Sequence, residues 1–412
     1  WGIDFFWIAA IGLVVLTALY TIFGGMKSVL YTSVLQTPIL LLGSLIILVL
    51  GFKELGGWDE MMRVCGAVTV NDYGDTMTNL IRSNDDANFP WLGALIGSAI
   101  IGFWYWCTDQ FIVQRVLSGK NEMEARRGTI FGAYLKLLPV FLFLIPGMIA
   151  FALHQKYIGA GGEGFLPMLA NGTANADAAF PTLVAKLLPA GVKGLVVCGI
   201  LAALMSSLAS LFNSSAMLFT IDFYKRFKPE TPEKKLVGIG QIATIVIVVL
   251  GILWIPIMRS VGDVLYTYLQ DVQSVLAPGI AAAFLLGICW KRTSAQGGMW
   301  GLISGMVIGL TRLGAKVYYS NAGEVADSTF KYLFYDMNWL FFCGWMFLFC
   351  IIVVIVVSLA TEAPTAEKIQ GLVFGTATKE QKAATRASWN HWDIIHTVII
   401  LAITAAFYWY FW

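Results

Sequence analysis

The sequence predicts an all-α polytopic membrane protein with about ten transmembrane helices. Of its 412 residues, 58% are apolar and only 13% are charged, about half the charged share of a soluble domain. The mean hydropathy is +0.74, and a soluble domain cannot bury so much apolar area. The apolar residues also occur in runs of about 20, the length that a helix needs to cross the hydrocarbon core.

Ten runs meet this length, and none shows the alternation of apolar and polar residues that is typical of a strand. Only helices and closed barrels satisfy all their backbone groups within lipid, so we expect ten helices. The fifth run exceeds one crossing, and its ends are expected to protrude. The runs are 4–24, 29–52, 91–113, 130–153, 187–222, 236–257, 262–289, 297–318, 338–360 and 391–412.

Loop charge predicts the orientation of these helices, because Lys and Arg are enriched on the cytoplasmic side. One set of alternate loops carries 16 cations and the other carries 10, a set in which Arg312 and Lys316 are counted. The richer set is expected to face the cytoplasm, which places loops 53–90 and 154–186 outside and loop 361–390 inside. None of these loops is long enough for a separate domain, so residues 1–412 are expected to form a single transmembrane domain.

Several functional classes are excluded by composition. A formal charge of +2 does not fit a nucleic-acid-binding protein. The three histidines and six cysteines, none in a CxxC pair, do not suggest a zinc site or a disulfide framework. No P-loop, GxSxG or HExxH sequence is present, so we expect no enzyme activity, and the expected partners are membrane lipid and a small molecule.

A stripe of small and polar residues on the fifth helix is the first candidate site. Its members recur at three- and four-residue spacing. Hydroxyl and carbonyl oxygens are hard ligands that suit a cation such as Na⁺. The alternative is close helix packing through small residues. The stripe consists of Ala203, Ser206, Ser207, Ser210, Asn213 and Ser214.

The run 104–110 (WYWCTDQ) is the second candidate, because three aromatic residues lead into a carboxylate and an amide. An aromatic platform such as Tyr105 beside a polar group such as Asp109 suits a sugar, which has an apolar ring face and a hydroxyl edge. The alternative is an aromatic belt at the membrane interface, followed by a solvated Asp109.

Lys136 and Gln270 form the third candidate, since polar side chains at membrane depth are costly and are therefore paired or functional. Lys136 lies one turn inside its run, and its ammonium group has the alternative of reaching the membrane surface. Gln270 lies in the first half of its run, and we expect Pro278 and Gly279 to break that helix farther on. The alternative for Gln270 is an amide bonded to a neighbouring helix.

The chain resembles the sodium/solute symporter family, and within it the sodium/glucose cotransporter branch. The resemblance covers essentially the whole chain in order and spacing, and the run WYWCTDQ is its most specific part. It is carried by 18–25 (ALYTIFGG), 104–110 (WYWCTDQ) with Gln114 and Arg115, 134–139 (YLKLLP) with 146–149 (PGMI), 203–207 (ALMSS), and 284–287 (FLLG) with 290–292 (WKR).

This resemblance implies a LeuT-like fold of two inverted repeats, with the chain beginning at the fourth core helix and the first helices missing. It implies localisation in the cell membrane and Na⁺ as the coupling ion. Ala203, Ser206 and Ser207 match sodium contacts. Tyr105 matches an inner aromatic gate, and Asp109 matches a polar position just beyond it. The positions that match sugar contacts are Lys136, Ser210 and Gln270.

Three positions depart from the pattern of the family. Ser33 stands where many relatives have an aspartate, Gly102 replaces a polar residue of some sugar-binding members, and Ala209 replaces a hydroxyl linked to a second sodium ion. We therefore expect one Na⁺ per solute. The resemblance predicts sodium-coupled transport of a glucose- or galactose-like sugar by alternating access. The alternatives are a symporter for myo-inositol, sialic acid, a carboxylate, proline or a vitamin, and a membrane sensor that binds its solute without transport.

Overall fold

The structure, a computed structural model, describes residues 5–169, 172–259, 265–322 and 326–411. Within these ranges the side chains are described except at 5, 23–29, 32, 35, 257–259, 265, 267, 268 and 321. The described part of the chain is mostly helical and contains no β-sheet, as predicted. Two compact units are present, one of residues 1–68 and 136–262 and the other of residues 69–135 and 263–412.

The helices are numbered in chain order. They are α1 (Phe5–Leu55), α2 (Trp58–Gly66), α3 (Trp91–Cys107), α4 (Gln110–Leu117), α5 (Glu122–Pro139), α6 (Ile145–Gly159), α7 (Ala179–Leu187), α8 (Ala190–Met217), α9 (Lys225–Phe227), α10 (Glu233–Arg259), α11 (Leu265–Cys289), α12 (Ala295–Asn321), α13 (Thr329–Lys331), α14 (Trp339–Ala360), α15 (Ala366–Ile369), α16 (Lys379–Ala387) and α17 (His391–Tyr410). Short π-helical segments, Val140–Leu144, Leu218–Tyr224 and Tyr332–Asp336, interrupt or extend three of these helical stretches.

Seven helices of the described chain are long and apolar enough to cross a membrane, and the bent pair α3–α4 raises this number to eight. All ten predicted runs are helical where the structure describes them; positions 4, 262–264 and 412 lie outside the described residues. Two of the predicted runs are not among these spans. The first run, 4–24, lies in the N-terminal part of α1, where the search of described residues covers only the apolar stretch Phe6–Ile22. The run 297–318 lies in α12, which carries six glycines together with Arg312 and Lys316, and these residues lower its hydropathy.

The prediction of two separate helices over 4–24 and 29–52 is wrong, because α1 is one continuous helix of 51 residues. At 1.5 Å per residue it is about 76 Å long. The sequence prediction places Lys27 in a loop between these two runs, next to the pair Gly24-Gly25. A glycine costs a helix interior only about 1 kcal/mol and does not oblige the helix to end, so α1 continues to Leu55 and includes Pro38.

In the first unit, α1 packs closely against α8. A β-carbon on Gly43 of α1 would lie 2.5 Å from Cγ2 of Val196 on α8, so a glycine is needed for this approach. Farther along, the buried residues Ala18, Phe212 and Val248 bring α1, α8 and α10 into one apolar core. This packing holds the serine-containing part of α8 beside α1.

In the second unit, α11 packs against α12, α14 and α3. Gly279 of α11 and Gly305 of α12 allow a close crossing, since a β-carbon on Gly305 would lie 2.9 Å from Cα of Gly279. The expected break at Pro278 is wrong, because α11 runs through it from Leu265 to Cys289. Its neighbours Ala277 and Ala281 are fully buried, and this packing offsets the hydrogen bond that the proline removes.

Candidate functional site

The stripe on α8 divides into faces of different exposure. Ser206, Ser210 and Ser214, spaced by four residues, are all buried, whereas Ala203 is half-buried and Ser207 is exposed. Successive residues of a helix point about 100° apart, so the buried Ser206 and the exposed Ser207 point in different directions. The stripe thus presents its hydroxyl groups to two different surroundings.

The buried hydroxyl of Ser206 contacts α1. Its Oγ lies 2.5 Å from Oγ of Ser33, and either hydroxyl can donate in this hydrogen bond. The Tyr20 hydroxyl of α1 donates to the carbonyl oxygen of Met205, the residue directly before Ser206, at 2.7 Å. The hydroxyl oxygens of Ser33 and Ser206 therefore meet between α1 and α8, next to the backbone of Met205. Such a group of neutral oxygens suits an alkali cation.

Ser210 is fully buried and directs its hydroxyl back along α8. Its Oγ donates to the carbonyl oxygen of Ser206 at 3.0 Å, and Ser214 makes the same kind of bond to Leu211. Serine hydroxyls in helices often bond to their own backbone in this way. Ser210 and Ser206 are thus brought together, while the predicted contact of Ser210 with a sugar stays a prediction.

The run WYWCTDQ lies where the membrane helix breaks. α3 ends at Cys107, α4 begins at Gln110, and the two are bent by 47°. Asp109 caps α4 by accepting a hydrogen bond from the backbone N–H of Phe111 at 3.0 Å, and Thr108 donates to the carbonyl of Trp104 at 2.7 Å. The predicted aromatic-to-polar transition is therefore a bend between two helices, of the kind found in a broken span or a re-entrant loop.

Tyr105 lies on the last turn of α3 and is half-buried. Its ring packs edge-on against Trp106, with centroids 5.3 Å apart, and is tilted against Trp104 at 6.3 Å. The three rings form an aromatic surface directly before the break that Asp109 caps. The structure thus brings Tyr105 and Asp109 into one local element of the second unit.

Gln270 lies near the start of α11 in the same unit and is half-buried. Within the described part of the chain, no residue makes a hydrogen bond with its side-chain amide. Among the described residues, the amide of Gln270 is thus available to a ligand.

Lys136 lies on the last turn of α5 and is exposed. Pro139 follows three residues later, and a π-helical segment begins directly after that proline.

One polar group was missed by the sequence analysis. We call Asp271, Arg312 and Lys316 the Asp271 cluster; the Lys316 ammonium contacts Oδ2 of Asp271, and a terminal nitrogen of Arg312 lies 3.5 Å from Oδ1. Counting Arg312 as a loop cation was wrong, since it lies within α12 and is fully buried. The signal was available: a cation inside an apolar run demands a partner, and Asp271 stands beside Gln270.

Among the described residues, no three His, Cys, Asp or Glu side chains gather at a point where they would hold a metal ion. A sodium site made of hydroxyl and carbonyl oxygens requires none of these residue types. The six cysteines, all described, are free thiols, and three of them are buried.

Comparison with known proteins gives consistent matches. A model of the sodium:solute symporter family matches residues 2–305. The chain is 34% identical to a sodium/mannose cotransporter of Bos taurus, over 98% of this chain and 72% of that protein. It is 35% identical to sodium/myo-inositol cotransporter 2 of Homo sapiens, over 90% and 56% of the two chains. It is 37% identical to sodium/glucose cotransporter 1 of Ovis aries, over 88% of this chain and 57% of that protein. The chain spans little more than half the length of the last two relatives.

Among solved structures, the chain is similar to a Na⁺-coupled sialic acid symporter in a substrate-bound, outward-open state. The TM-score is 0.65 and the sequence identity is 20%, with 89% of this chain and 69% of that chain covered. At this level of identity the likeness is one of fold.

Proposed function

Because this chain belongs to the sodium:solute symporter family, we propose that it carries the transport core of a sodium-coupled symporter for a sugar or a polyol. Membership of the family confirms the resemblance seen in the sequence and the prediction of a multi-pass membrane protein that is not an enzyme. The structural likeness supports the predicted LeuT-like all-α fold.

The contact between Ser206 and Ser33 carries the proposal for the cation. Ser206 is buried and Ser33 is half-buried, and their hydroxyl groups share a hydrogen bond between two largely apolar helices, where polar groups are usually paired or functional. We propose Ser206, with the adjacent Ser207 and with Ala203 one turn earlier, as the part of the sodium site that lies on α8. The exposed Ser207 is then the hydroxyl that a cation meets first, and Ser206 the one that it must draw away from Ser33.

The open amide of Gln270 and the ring of Tyr105 support the proposal for the solute. An amide that makes no hydrogen bond with a described residue can both donate to and accept from the hydroxyl groups of a polyol. We propose Gln270, Ser210 and Lys136 as solute contacts, Tyr105 as an aromatic gate and Asp109 as the polar cap behind it. Relatives are named for mannose, myo-inositol and glucose, all polyhydroxylated rings, and we propose a glucose- or galactose-like solute.

The energetics of coupling follow from the charge of the ion. Moving one Na⁺ across 100 mV releases about 2.3 kcal/mol, in addition to the concentration gradient. Coupling requires that Na⁺ bind one conformation better than the other, so that solute binds only after the ion. We propose an orientation with loops 53–90 and 154–186 outside and loop 361–390 in the cytoplasm, as loop charge predicts.

The test is uptake into proteoliposomes by the purified protein, with any sequence that flanks this chain in its gene. We expect an inward sodium gradient, and not a potassium gradient, to drive accumulation of labelled glucose or galactose. Ser207→Ala is expected to raise the half-saturating sodium concentration about tenfold, with Ser215→Ala on the same helix as the matched control. Unchanged sodium dependence in Ser207→Ala would contradict the assignment of the ion site.

Competition separates the remaining solutes. Inhibition of uptake by myo-inositol but not by glucose would shift the proposal to a polyol carrier, and inhibition only by sialic acid, proline or another carboxylate would overturn a neutral solute. Binding of the labelled sugar without accumulation against a gradient would indicate a sensor in place of a transporter.

A further inference from the structure

The Asp271 cluster lies one residue from the proposed solute contact. Asp271 is 9% exposed, and both of its carboxylate oxygens face cations of α12: Lys316 at Oδ2 and Arg312 at Oδ1. The two cations are four residues apart, on the same face of α12. A single carboxylate of α11 is therefore held from two successive turns of the neighbouring helix.

Arg312 extends this attachment to a third and a fourth element. Its two terminal nitrogens donate to the carbonyl oxygens of Leu333 at 3.4 Å and Met337 at 2.8 Å, which lie at and just beyond a π-helical turn. Its guanidinium carbon stands 4.0 Å from the ring centroid of Phe342 on α14. Arg312 is fully buried, and these contacts of its terminal nitrogens and of its guanidinium plane restrict its position, although its Nε has no hydrogen-bond partner among the described residues. Asp271 therefore faces a cation that is held in place from several elements.

The neighbour of Asp271 is the proposed solute contact. Gln270 directly precedes Asp271 on α11. Because consecutive side chains of a helix are fixed about 100° apart, holding Asp271 against α12 also fixes the direction in which Gln270 points.

We infer that Asp271, clamped by Arg312 and Lys316, is a positioning residue that aims the amide of Gln270 at the hydroxyl groups of the solute. The inference rests on the proposed function of Gln270. An amide recognises a polyol only when its donor and acceptor reach the correct hydroxyl groups, and a wrong rotation of α11 removes that match. Asp271 itself needs no contact with the solute.

The test uses Asp271→Asn, Gln270→Ala and the double variant in the complete transporter. We expect Asp271→Asn to raise the KM for the sugar about tenfold, with kcat and the half-saturating sodium concentration nearly unchanged. In the Gln270→Ala background, Asp271→Asn is expected to raise KM no further, because the amide that Asp271 positions is then absent. Asp271→Glu, which keeps the carboxylate, is expected to retain most of the affinity.

The matched control is Asp393→Asn. Asp393 is also a buried carboxylate, 8% exposed, with an arginine nearby, but it lies at the start of α17. It is expected to leave the KM for the sugar unchanged. Lys316→Met keeps the pair of Asp271 with Arg312 and is expected to raise KM by less than Asp271→Asn does. If Asp271→Asn fails to fold, the KM of Lys316→Met tests the inference in its place.

Two results overturn the inference. One is an unchanged KM in folded Asp271→Asn, or in Lys316→Met where Asp271→Asn does not fold. The other is an additive increase in the double variant, which would show that Asp271 acts independently of Gln270. Failure of the proposed function is a different result, since the unmodified protein would then show no sodium-driven sugar uptake.

Discussion

Polar groups are buried in both units, but in opposite ways. In the first unit, α8 presents small neutral hydroxyl groups, and Ser206 and Ser33 share one hydrogen bond between them. In the second unit, α11 and α12 bury full charges, with Asp271 held by Arg312 and Lys316. The first arrangement uses weak, exchangeable contacts, whereas every contact of the second is strengthened by charge.

This difference matches what each region is proposed to do. A coupling ion must bind and leave during every cycle, so its ligands must give up their own hydrogen bond at little cost, as two hydroxyl groups do. A solute contact must keep its direction, so its support must resist displacement. Breaking a buried ion pair by removing one partner is costly, because the other charge is left in a poor environment.

The largest expected effect comes from breaking the charged region. Arg312→Met is expected to lower the free energy of unfolding by about 3 kcal/mol, because Asp271 and two carbonyl groups lose their buried donor. Thermal unfolding in detergent, followed by tryptophan fluorescence, measures the loss. Lys316→Met is the control, with a smaller loss, since the Lys316 side chain is 25% exposed and Arg312 still faces Asp271. Equal unfolding temperatures for Arg312→Met and the unmodified protein would contradict a stabilising role for the cluster.

Adding a charge to the neutral region sharpens the comparison. Ser33→Asp places a carboxylate next to Ser206, where Na⁺ is proposed to bind, and is expected to lower the half-saturating sodium concentration about tenfold by direct attraction. Slower release of the ion is expected to reduce kcat. Sodium-activation curves of uptake measure both effects. Ser33→Asn has nearly the same size without the charge, and if it acted like Ser33→Asp, shape and not charge would be responsible.

The sequence predicted the helices well because an apolar run of about 20 residues can satisfy its backbone hydrogen bonds within lipid only as a helix or as part of a closed barrel. It did not predict that α1 continues through Lys27, since one cation and two glycines weaken a helix without ending it. Ser206 and Ser207 looked equivalent in the stripe, and only the rotation of α8 against α1 separates the buried hydroxyl from the exposed one.

The Asp271 cluster was missed for a related reason. Arg312 and Lys316 stand near the end of an apolar run, where a cation is ordinarily a loop residue. Their partner Asp271 is 41 residues from Arg312 in the sequence, and only the packing of α11 against α12 shows the pair. A carboxylate beside Gln270, within an apolar run, was the signal that an opposite charge had to lie nearby.

A smaller effect is expected for Ser210, whose hydroxyl already donates within α8. Ser210→Ala removes a buried hydrogen bond to the carbonyl of Ser206, and is expected to cost about 1 kcal/mol of stability. Its effect on the KM for the sugar is expected to be smaller than that of Gln270→Ala, because the Gln270 amide is open to a ligand. Uptake kinetics and thermal unfolding of the two variants give the comparison. A larger KM in Ser210→Ala than in Gln270→Ala would place the main solute contact on α8.

The smallest effect is expected at Gly102 on α3, one turn before Tyr105. A β-carbon there would meet no described atom within 4 Å, so Gly102→Ser fits without rearrangement and improves helix propensity slightly. The added hydroxyl supplies a polar group on the helix of the proposed aromatic gate, and we expect a decrease in KM of about threefold for a hydroxyl-rich solute. Gly102→Ala is the control, since it adds the same β-carbon without the hydroxyl. If both variants changed KM equally, the effect would come from a stiffer α3 and not from the added hydroxyl. Solute binding would then depend on the backbone of α3 as well as on the neutral and the charged regions.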